Sequence, residues 1–319
     1  MTTEAAPVRA RARRAVAESV DDLVGNTPLL RLHPHGMSPR VRLLAKLEMF
    51  NPLASVKDRA ALYMLRRAEA DGLVPATGGT VVECSSGSTG ISLAALCAAR
   101  GHRCVIVMPD NATEERVLLL RSLGAEVVLV PHRDGLPAAW LHAERLQRDT
   151  PGSWLAHQDR NPDNVRAHEE TTGPEIWDAT GGDIDVLVCG VGTGGTLTGL
   201  ARHLKHRRPG LHVVAVEPAT SAVLSGGEPG PHNIPGIGAG YVSDITDVHL
   251  IDEVVAVTDE DAAEAARAVT ATTGLPVGIS SGAAVHACRV VADRIAERSP
   301  TIVTVLPDTG ERYLSLSRA

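Results

Sequence analysis

Aromatic side chains are scarce in this sequence. Phe, Trp and Tyr together make up only 2% of its 319 residues, whereas 44% of the residues are hydrophobic. The core must therefore be built from Ala, Val, Leu and Ile, a composition that suits parallel strands and close-packed helices. The chain is long enough to bury a large core, and its length predicts two domains rather than one.

Cysteine is also sparse, and the number and spacing of the cysteines argue against a fold held by disulfides or by zinc. The five cysteines are odd in number and include no C-x-x-C pair, so neither a disulfide framework nor a zinc site is predicted. No apolar stretch is long enough to span a membrane, and the first twenty residues lack the apolar run of a signal peptide. We therefore expect a cytoplasmic protein with reduced thiols and no membrane partner.

The sequence also has no excess of positive charge. The formal net charge is -7, so a nucleic-acid partner would require a local basic patch. The only candidate patch is a group of four arginines near the N-terminus, Arg9, Arg11, Arg13 and Arg14. We interpret residues 1–19 as a flexible, solvated tail, and we expect no nucleic-acid partner.

The chain alternates short β-branched runs with helical stretches rich in Ala and Leu. In the first half the strands are predicted at 79–85, 102–109 and 125–130, with helices at 89–101 and 113–124 and Thr113 as an N-cap. The second half repeats this style, with a strand that runs into a glycine loop at 184–195, further strands at 211–218 and 301–310, and helices at 196–207 and 259–274. This order predicts an α/β fold with open parallel sheets and right-handed crossovers.

Two open sheets that face each other create a cleft, and ligands in such folds sit at the carboxyl ends of the strands. Residues 221–247 are rich in Gly and Pro and show no clear period. We predict that they form a long irregular loop at the border of this cleft.

A glycine-rich loop follows one predicted strand and precedes a helix. It contains Gly192, Thr193, Gly194, Gly195 and Thr196 within "GVGTGGTLTG" (190–199). Unpaired N–H groups and the helix dipole favour an anion there, and glycines allow close approach of the backbone to a phosphate. The Gly-Lys-Ser/Thr ending of a P-loop is absent. The loop predicts a site for a phosphate monoester, and a purely structural tight turn is the alternative.

Two further motifs suggest chemistry near the same cleft. The segment "SSGST" (85–89) also joins a strand to a helix, so it suits a small carboxylate, unless it is an ordinary N-cap turn. Lys57 in "NPLASVKDRAA" (51–61) opens an apolar helix. A lone lysine is usually a solvated surface charge, but a partly desolvated lysine can have a lowered pKa and form a Schiff base.

In these motifs and in several others, the chain resembles the cysteine synthase (O-acetylserine sulfhydrylase) family over about residues 20–315. Further segments in the family order are "LVGNTPLLRL" (23–32), "MPDNATEERVLLLRSLGAEVVLV" (108–130), "NPDNVRAHEETTGPEIW" (161–177), "SAVLSGGEPGPHNIPGIGAG" (221–240), "GISSGAA" (278–284) and "GERYLS" (310–315). The resemblance implies the two-domain, tryptophan synthase β-like fold of fold type II pyridoxal-phosphate enzymes. It implies a small domain at 50–155 and a large domain formed by 20–49 and 156–319. It also implies a homodimer that can dock serine acetyltransferase.

The resemblance further implies that pyridoxal 5'-phosphate is the cofactor. Lys57 would bind it as an internal aldimine and later remove the substrate α-proton. Residues 192–196 would hold the phosphate, and Ser280 would contact the pyridine nitrogen. A neutral serine does not enforce protonation of that nitrogen, which suits elimination of a β-substituent. Ser280 could also be a helix N-cap.

The substrate site is implied in the same way. The α-carboxylate would be bound by Ser85, Ser86, Gly87, Ser88, Thr89 and Gln158, with Ser88 also next to the cofactor. Gly236 and Ile237, in "PGIGAG" (235–240), match a loop that shifts as the cleft closes and excludes water.

The implied reaction is β-replacement on an activated serine. O-acetylserine or O-phosphoserine would pass through an external aldimine, lose its β-substituent to give an α-aminoacrylate, and take up sulfide to give L-cysteine. Two residues depart from the family pattern: Ser88 stands where Asn is usual, and Cys84 stands where Pro is usual. Cys84 could be a packing residue or a reactive thiol.

The Ser88 departure keeps other reactions open. They are synthesis of another β-substituted alanine, such as 2,3-diaminopropionate, and β-elimination by a cysteine desulfhydrase or serine dehydratase. A weakly active regulatory protein is the remaining alternative.

Overall fold

The computed structural model describes residues 16–85 and 87–314. This part of the chain contains ten strands: β1 (Leu29–Leu32), β2 (Arg42–Leu47), β3 (Thr80–Cys84), β4 (Arg103–Pro109), β5 (Glu126–Val130), β6 (Ser153–Leu155), β7 (Val186–Gly190), β8 (His212–Pro218), β9 (Glu253–Val257) and β10 (Thr301–Leu306). Its α-helices are α1 (Lys57–Ala70), α2 (Ser88–Arg100), α3 (Glu114–Ser122), α4 (Gly135–Asp149), α5 (Pro162–Ala167), α6 (Gly173–Thr180), α7 (Gly195–Arg207), α8 (Asp259–Thr273) and α9 (Ile279–Ile295). Residues 1–15, with the four predicted tail arginines, lie outside the described residues.

The strands form two sheets. The larger sheet has the order β1-β2-β10-β7-β8-β9, and the smaller sheet has the order β5-β4-β3-β6. All neighbouring strands run parallel except β1, which is antiparallel to β2. The predicted parallel α/β fold is therefore confirmed. The strands of the smaller sheet all lie between residues 80 and 155, but the proposed domain boundaries stay a prediction.

Both faces of each sheet are covered by helices, as expected for parallel sheets. In β7, Val186 and Val188 pack towards α8 and α9, whereas Leu187 and Cys189 pack towards α6 and α7. The smaller sheet packs α1 and α2 on one face and α4 on the other. Its buried side chains, like those of the larger sheet, are mainly Ala, Val, Leu and Ile, which confirms the core composition predicted from the lack of aromatics.

The predicted element boundaries hold to within about two residues, with one exception. The last strand ends at Leu306 rather than at residue 310, because Pro307 has no N–H with which to extend the ladder. Thr113 occupies the N-cap position of α3, but its side chain makes no capping hydrogen bond. No helix among residues 16–85 and 87–314 is long and apolar enough to cross a membrane.

A buried ion network fixes α1 against the larger sheet. The Arg59 guanidinium donates to Glu48 (2.7 Å) and to Glu175 (2.7 Å), and Lys46 Nζ lies 2.7 Å from Glu175. Burial alone would raise the pKa of Glu48, but the Arg59 guanidinium lowers it to about 2. The two cations and two carboxylates therefore form a neutral cluster, and it anchors the helix that begins at Lys57.

Candidate active site

A cleft lies at the carboxyl ends of β3, β7 and β10, where the sequence predicted it. Its outer part has a volume of about 340 Å³, and a narrower inner cavity continues towards the glycine-rich loop. The predicted residues that line one or both parts are Lys57, Ser85, Gly87, Ser88, Thr89, Gln158, Gly192, Thr193, Gly194, Thr196, Gly236, Ile237 and Ser280. Gly195 does not line the cleft, and Ser86 lies outside the described residues.

Lys57 is the first residue of α1 and is positioned by the end of β10. The Val56 N–H donates to the Pro307 carbonyl (2.8 Å), and Ser55 pairs with Asp308 in an isolated β-bridge. The Lys57 side chain lines both the outer cleft and the inner cavity. Burial lowers the pKa of Lys57, and the nearby Asp308 carboxylate partly offsets this effect. The amine is therefore easier to deprotonate than a surface lysine.

The glycine-rich loop is packed so closely that side chains are excluded. A Cβ on Gly192 would lie 2.4 Å from the Gly236 carbonyl oxygen, and one on Gly194 would lie 2.0 Å from Thr246 Oγ1. Gly194 also has a left-handed backbone, with φ of 78°. The loop leads directly into the N-terminus of α7. These features form a concave site of backbone N–H groups that suits a phosphate.

The same loop is held from outside by residues that sequence reasoning missed. Asn164 donates to Thr193 Oγ1 (3.1 Å), and Ser243 Oγ donates to the Thr193 carbonyl (2.5 Å). The Thr196 hydroxyl lies 3.2 Å from His168 Nε2. Burial lowers the pKa of His168 to about 3, so this ring is neutral. The residues come from two segments distant from the loop in sequence, and no local sequence signal marks them as partners of the loop.

The predicted substrate loop forms the N-terminus of α2. Ser85 Oγ accepts hydrogen bonds from the N–H groups of Gly87 (3.2 Å) and Gly90 (3.3 Å), so this serine also stabilises the turn. The buried Thr89 hydroxyl donates to Gln158 Oε1 (2.6 Å). That bond orients the Gln158 amide so that its NH₂ group is the donor for a bound carboxylate.

Ser280 lines both the inner cavity and the outer cleft. It is 2% exposed and is the second residue of α9. The alternative reading of Ser280 as an N-cap is wrong, because Gly278 occupies that position. Ser280 therefore lines the cavity from the first turn of α9.

The wall of the outer cleft contains residues to which the sequence assigned no role. Arg116, Leu136 and Trp140 line it from α3 and α4. Tyr241 contacts Trp140 edge to face, with ring centroids 5.0 Å apart, and donates to Asp159 (3.3 Å). Since the chain contains only three Trp and three Tyr, their scarcity could have marked this pair. Both aromatic residues bring apolar area to the cleft mouth.

Cys84 also lines the outer cleft but is otherwise buried. Burial raises the pKa of its thiol to about 12. A thiol with so high a pKa carries almost no thiolate at neutral pH, and thiolate is the reactive form. The structure therefore favours the packing role over the reactive one.

The cleft fits pyridoxal phosphate on three observations. The glycine-rich loop lines the inner cavity and leads into the N-terminus of α7. Lys57 lines the same cavity with a lowered pKa, and the buried Ser280 lines it as well. The glycine-rich loop would bind the phosphate, Lys57 would bind the aldehyde, and Ser280 would contact the pyridine ring.

Comparisons with known proteins agree with this geometry. The family of pyridoxal-phosphate dependent enzymes matches residues 20–308. Cysteine synthase of Staphylococcus aureus is 42% identical over 299 residues, which cover 93% of this chain and 96% of that protein.

Solved structures give the same result. O-acetylserine sulfhydrylase isoform 3 of Entamoeba histolytica has a TM-score of 0.89 at 40% identity, covering 99% of this chain and 93% of that one. An O-ureido-L-serine synthase has a TM-score of 0.90 at 40% identity, covering 94% of each chain. These similarities confirm the predicted fold type II, tryptophan synthase β-like architecture. The chain is a pyridoxal-phosphate dependent enzyme and belongs to the cysteine synthase family.

Proposed function

We propose that the protein makes L-cysteine by β-replacement, from O-acetylserine or O-phosphoserine and sulfide. The observation that carries this proposal is the position of Lys57 between two separate anion sites. The glycine-rich loop after β7 lies on one side of the amine, and the N-terminus of α2 lies on the other. A phosphorylated cofactor joined to an amino-acid substrate carries its two anionic groups in this arrangement.

Each group in the cleft has a role in this reaction. Bound pyridoxal phosphate supplies the electron sink that makes the substrate α-proton acidic. Burial lowers the pKa of Lys57, so its amine can accept that proton and later return it. The α2 N-terminus and Gln158 orient the substrate carboxylate, which fixes the α-C–H bond towards the lysine. Ser280 would contact the pyridine nitrogen as a neutral group, which would not stabilise the protonated ring that favours transamination.

The test is a visible spectrum of the purified protein, titrated first with O-acetylserine and then with sulfide. We expect the absorbance of the bound cofactor to change with O-acetylserine, and to return with sulfide as cysteine appears. A spectrum that ignores O-acetylserine contradicts the proposed substrate, and a changed spectrum that ignores sulfide contradicts the proposed nucleophile.

A second candidate is synthesis of another β-substituted alanine. It is supported by Ser88 in place of the usual Asn and by the open outer cleft of about 340 Å³. Arg116, Leu136 and Trp140 line that cleft and offer a cation and apolar area to a nucleophile larger than sulfide. Because the chain is similar to an O-ureido-L-serine synthase, hydroxyurea is a useful test nucleophile. Ammonia, which would give 2,3-diaminopropionate, is a second one. Faster turnover with one of these nucleophiles than with sulfide would favour this candidate.

We also propose that the protein is a cytoplasmic homodimer and that serine acetyltransferase can dock into its cleft. The five cysteines all lie in the described residues, and all are free and buried, which fits a reducing compartment. Sedimentation equilibrium tests the homodimer, with a monomer as the contradicting result. Competition between O-acetylserine and the C-terminal peptide of a serine acetyltransferase tests the docking.

A further inference from the structure

Arg312 connects the C-terminal part of the chain to the substrate loop. It lies in a one-turn 3₁₀-helix, Gly310–Tyr313, that follows β10. One guanidinium nitrogen donates to Ser88 Oγ, and another donates to the Leu53 carbonyl oxygen. The side chain is half-buried, so its charge is only partly screened by water. Sequence reasoning gave Arg312 no role.

The chemistry of the two groups fixes the direction of the hydrogen bond. A guanidinium has only donors, so Ser88 Oγ must act as the acceptor. The single hydroxyl proton of Ser88 then remains available for a different acceptor. Ser88 is the first residue of α2 and lines the outer cleft, where the substrate carboxylate is proposed to bind. The Arg312 cation that donates to Ser88 Oγ also polarises the Ser88 O–H bond, because consecutive hydrogen bonds in a chain strengthen one another.

We propose that Arg312 is a positioning residue that holds Ser88 as a hydrogen-bond donor to the substrate carboxylate. The pair would supply the donor that an asparagine amide usually supplies at this position. The inference rests on the proposed function, since it requires an amino-acid carboxylate at the N-terminus of α2.

A merely structural role for Arg312 is the competing explanation. Arg312 contacts Leu53, which lies in the segment before Lys57. The Leu53 N–H donates to Asp58 (2.7 Å), and Ser92 Oγ donates to the same carboxylate (2.5 Å). Loss of that connection would weaken the fold around the cleft. It would not depend on Ser88, and it would not distinguish a carboxylate from an amide in the ligand.

The test is a double-mutant cycle on the cofactor-loaded protein with Ser88→Ala, Arg312→Gln and the double variant. The readout is the dissociation constant of L-alanine, which has no β-leaving group, measured by the change in visible absorbance. L-alaninamide, which lacks the carboxylate, is the matched ligand. Since a hydrogen bond to a charged group is involved, we expect each single variant to weaken L-alanine binding by about ten-fold or more. Binding of L-alaninamide should stay within about two-fold.

The decisive comparison is the effect of Arg312→Gln in the Ser88→Ala background, which should fall below about two-fold if Arg312 acts through Ser88. An equal loss in both backgrounds, or for both ligands, overturns the inference. Arg312→Lys is the second variant, because it keeps a cation and a donor if Arg312→Gln does not fold. It should bind L-alanine more tightly than Arg312→Gln only when Ser88 is present, and a rescue without Ser88 also overturns the inference.

The cycle separates the two proposals. A wild-type protein whose spectrum ignores amino acids contradicts the proposed function and this inference with it. Wild-type binding with an additive cycle contradicts the inference alone.

Discussion

A methyl group at Gly195 should disrupt the glycine-rich loop through one neighbour, Asn164. Gly195 is the first residue of α7, and its backbone is not left-handed, so alanine carries no intrinsic backbone penalty there. A Cβ would, however, lie 2.2 Å from Asn164 Oδ1 and 2.6 Å from its Cγ. Asn164 cannot turn away freely, because it is 1% exposed and donates to the Gln158 carbonyl (2.7 Å) and to Thr193 Oγ1 (3.1 Å).

The expected magnitude follows from these contacts. Forcing a methyl into a packed site costs about 1–3 kcal/mol. Displacing Asn164 weakens two hydrogen bonds, each with a net contribution of about 1 kcal/mol. We therefore expect Gly195→Ala to lower the free energy of unfolding by about 2–4 kcal/mol, since the two costs are partly alternative. The shift of Thr193 should also weaken pyridoxal phosphate binding.

Urea unfolding of the cofactor-free protein, followed by circular dichroism, measures the first effect. Absorbance titration with pyridoxal phosphate measures the second. Gly210→Ala is the matched control, because no atom lies within 4 Å of its added Cβ, and it should change stability by less than about 0.5 kcal/mol. Adding Asn164→Ala removes the clashing side chain, so the double variant should be more stable than the sum of the single losses. A Gly195→Ala protein as stable as the control, or strictly additive losses, would refute the reasoning.

Three further predictions concern the cleft and its anchor. Lys57→Ala should remove both turnover and the covalent attachment of the cofactor, measured by mass spectrometry after borohydride reduction, and retained turnover would exclude the assignment. Gln158→Ala should raise the dissociation constant for L-alanine by about ten-fold and leave cofactor affinity unchanged, because it removes the amide NH₂ that is proposed to bind the substrate carboxylate; equal losses would contradict this. The pKa of Glu48 lies at about 2, below its ordinary value of 4.5, so its stabilising effect is complete above pH 4.5 and is lost as the pH falls towards 2. Glu48→Gln should lower stability at neutral pH by about 3–5 kcal/mol and flatten the pH dependence in that window, since Lys46 and Arg59 are left with Glu175 as their one carboxylate and the buried cluster gains an uncompensated charge; an unchanged acid-unfolding curve would contradict the network.

Much of this protein was determined by local features of its sequence. The alternation of strand and helix, the aliphatic core and the glycine-rich loop at 192–196 all follow from residue type and spacing. Such features depend on neighbours only a few positions away, because periodicity and backbone freedom act over one or two turns. Lys57 was also identifiable, although its motif needed the family resemblance to become specific.

The tertiary structure alone decided which distant residues complete the site. Arg312 and Ser88 are 224 residues apart, and Thr89 and Gln158 are 69 apart. Pairing of β3 with β6 in the smaller sheet brings Thr89 and Gln158 together, and the packing of the two sheets around one cleft brings Arg312 to Ser88. The tertiary structure also decides the burial that lowers the pKa of His168 and that of Lys57. Desolvation depends on everything that packs around a group, and no stretch of sequence contains that information.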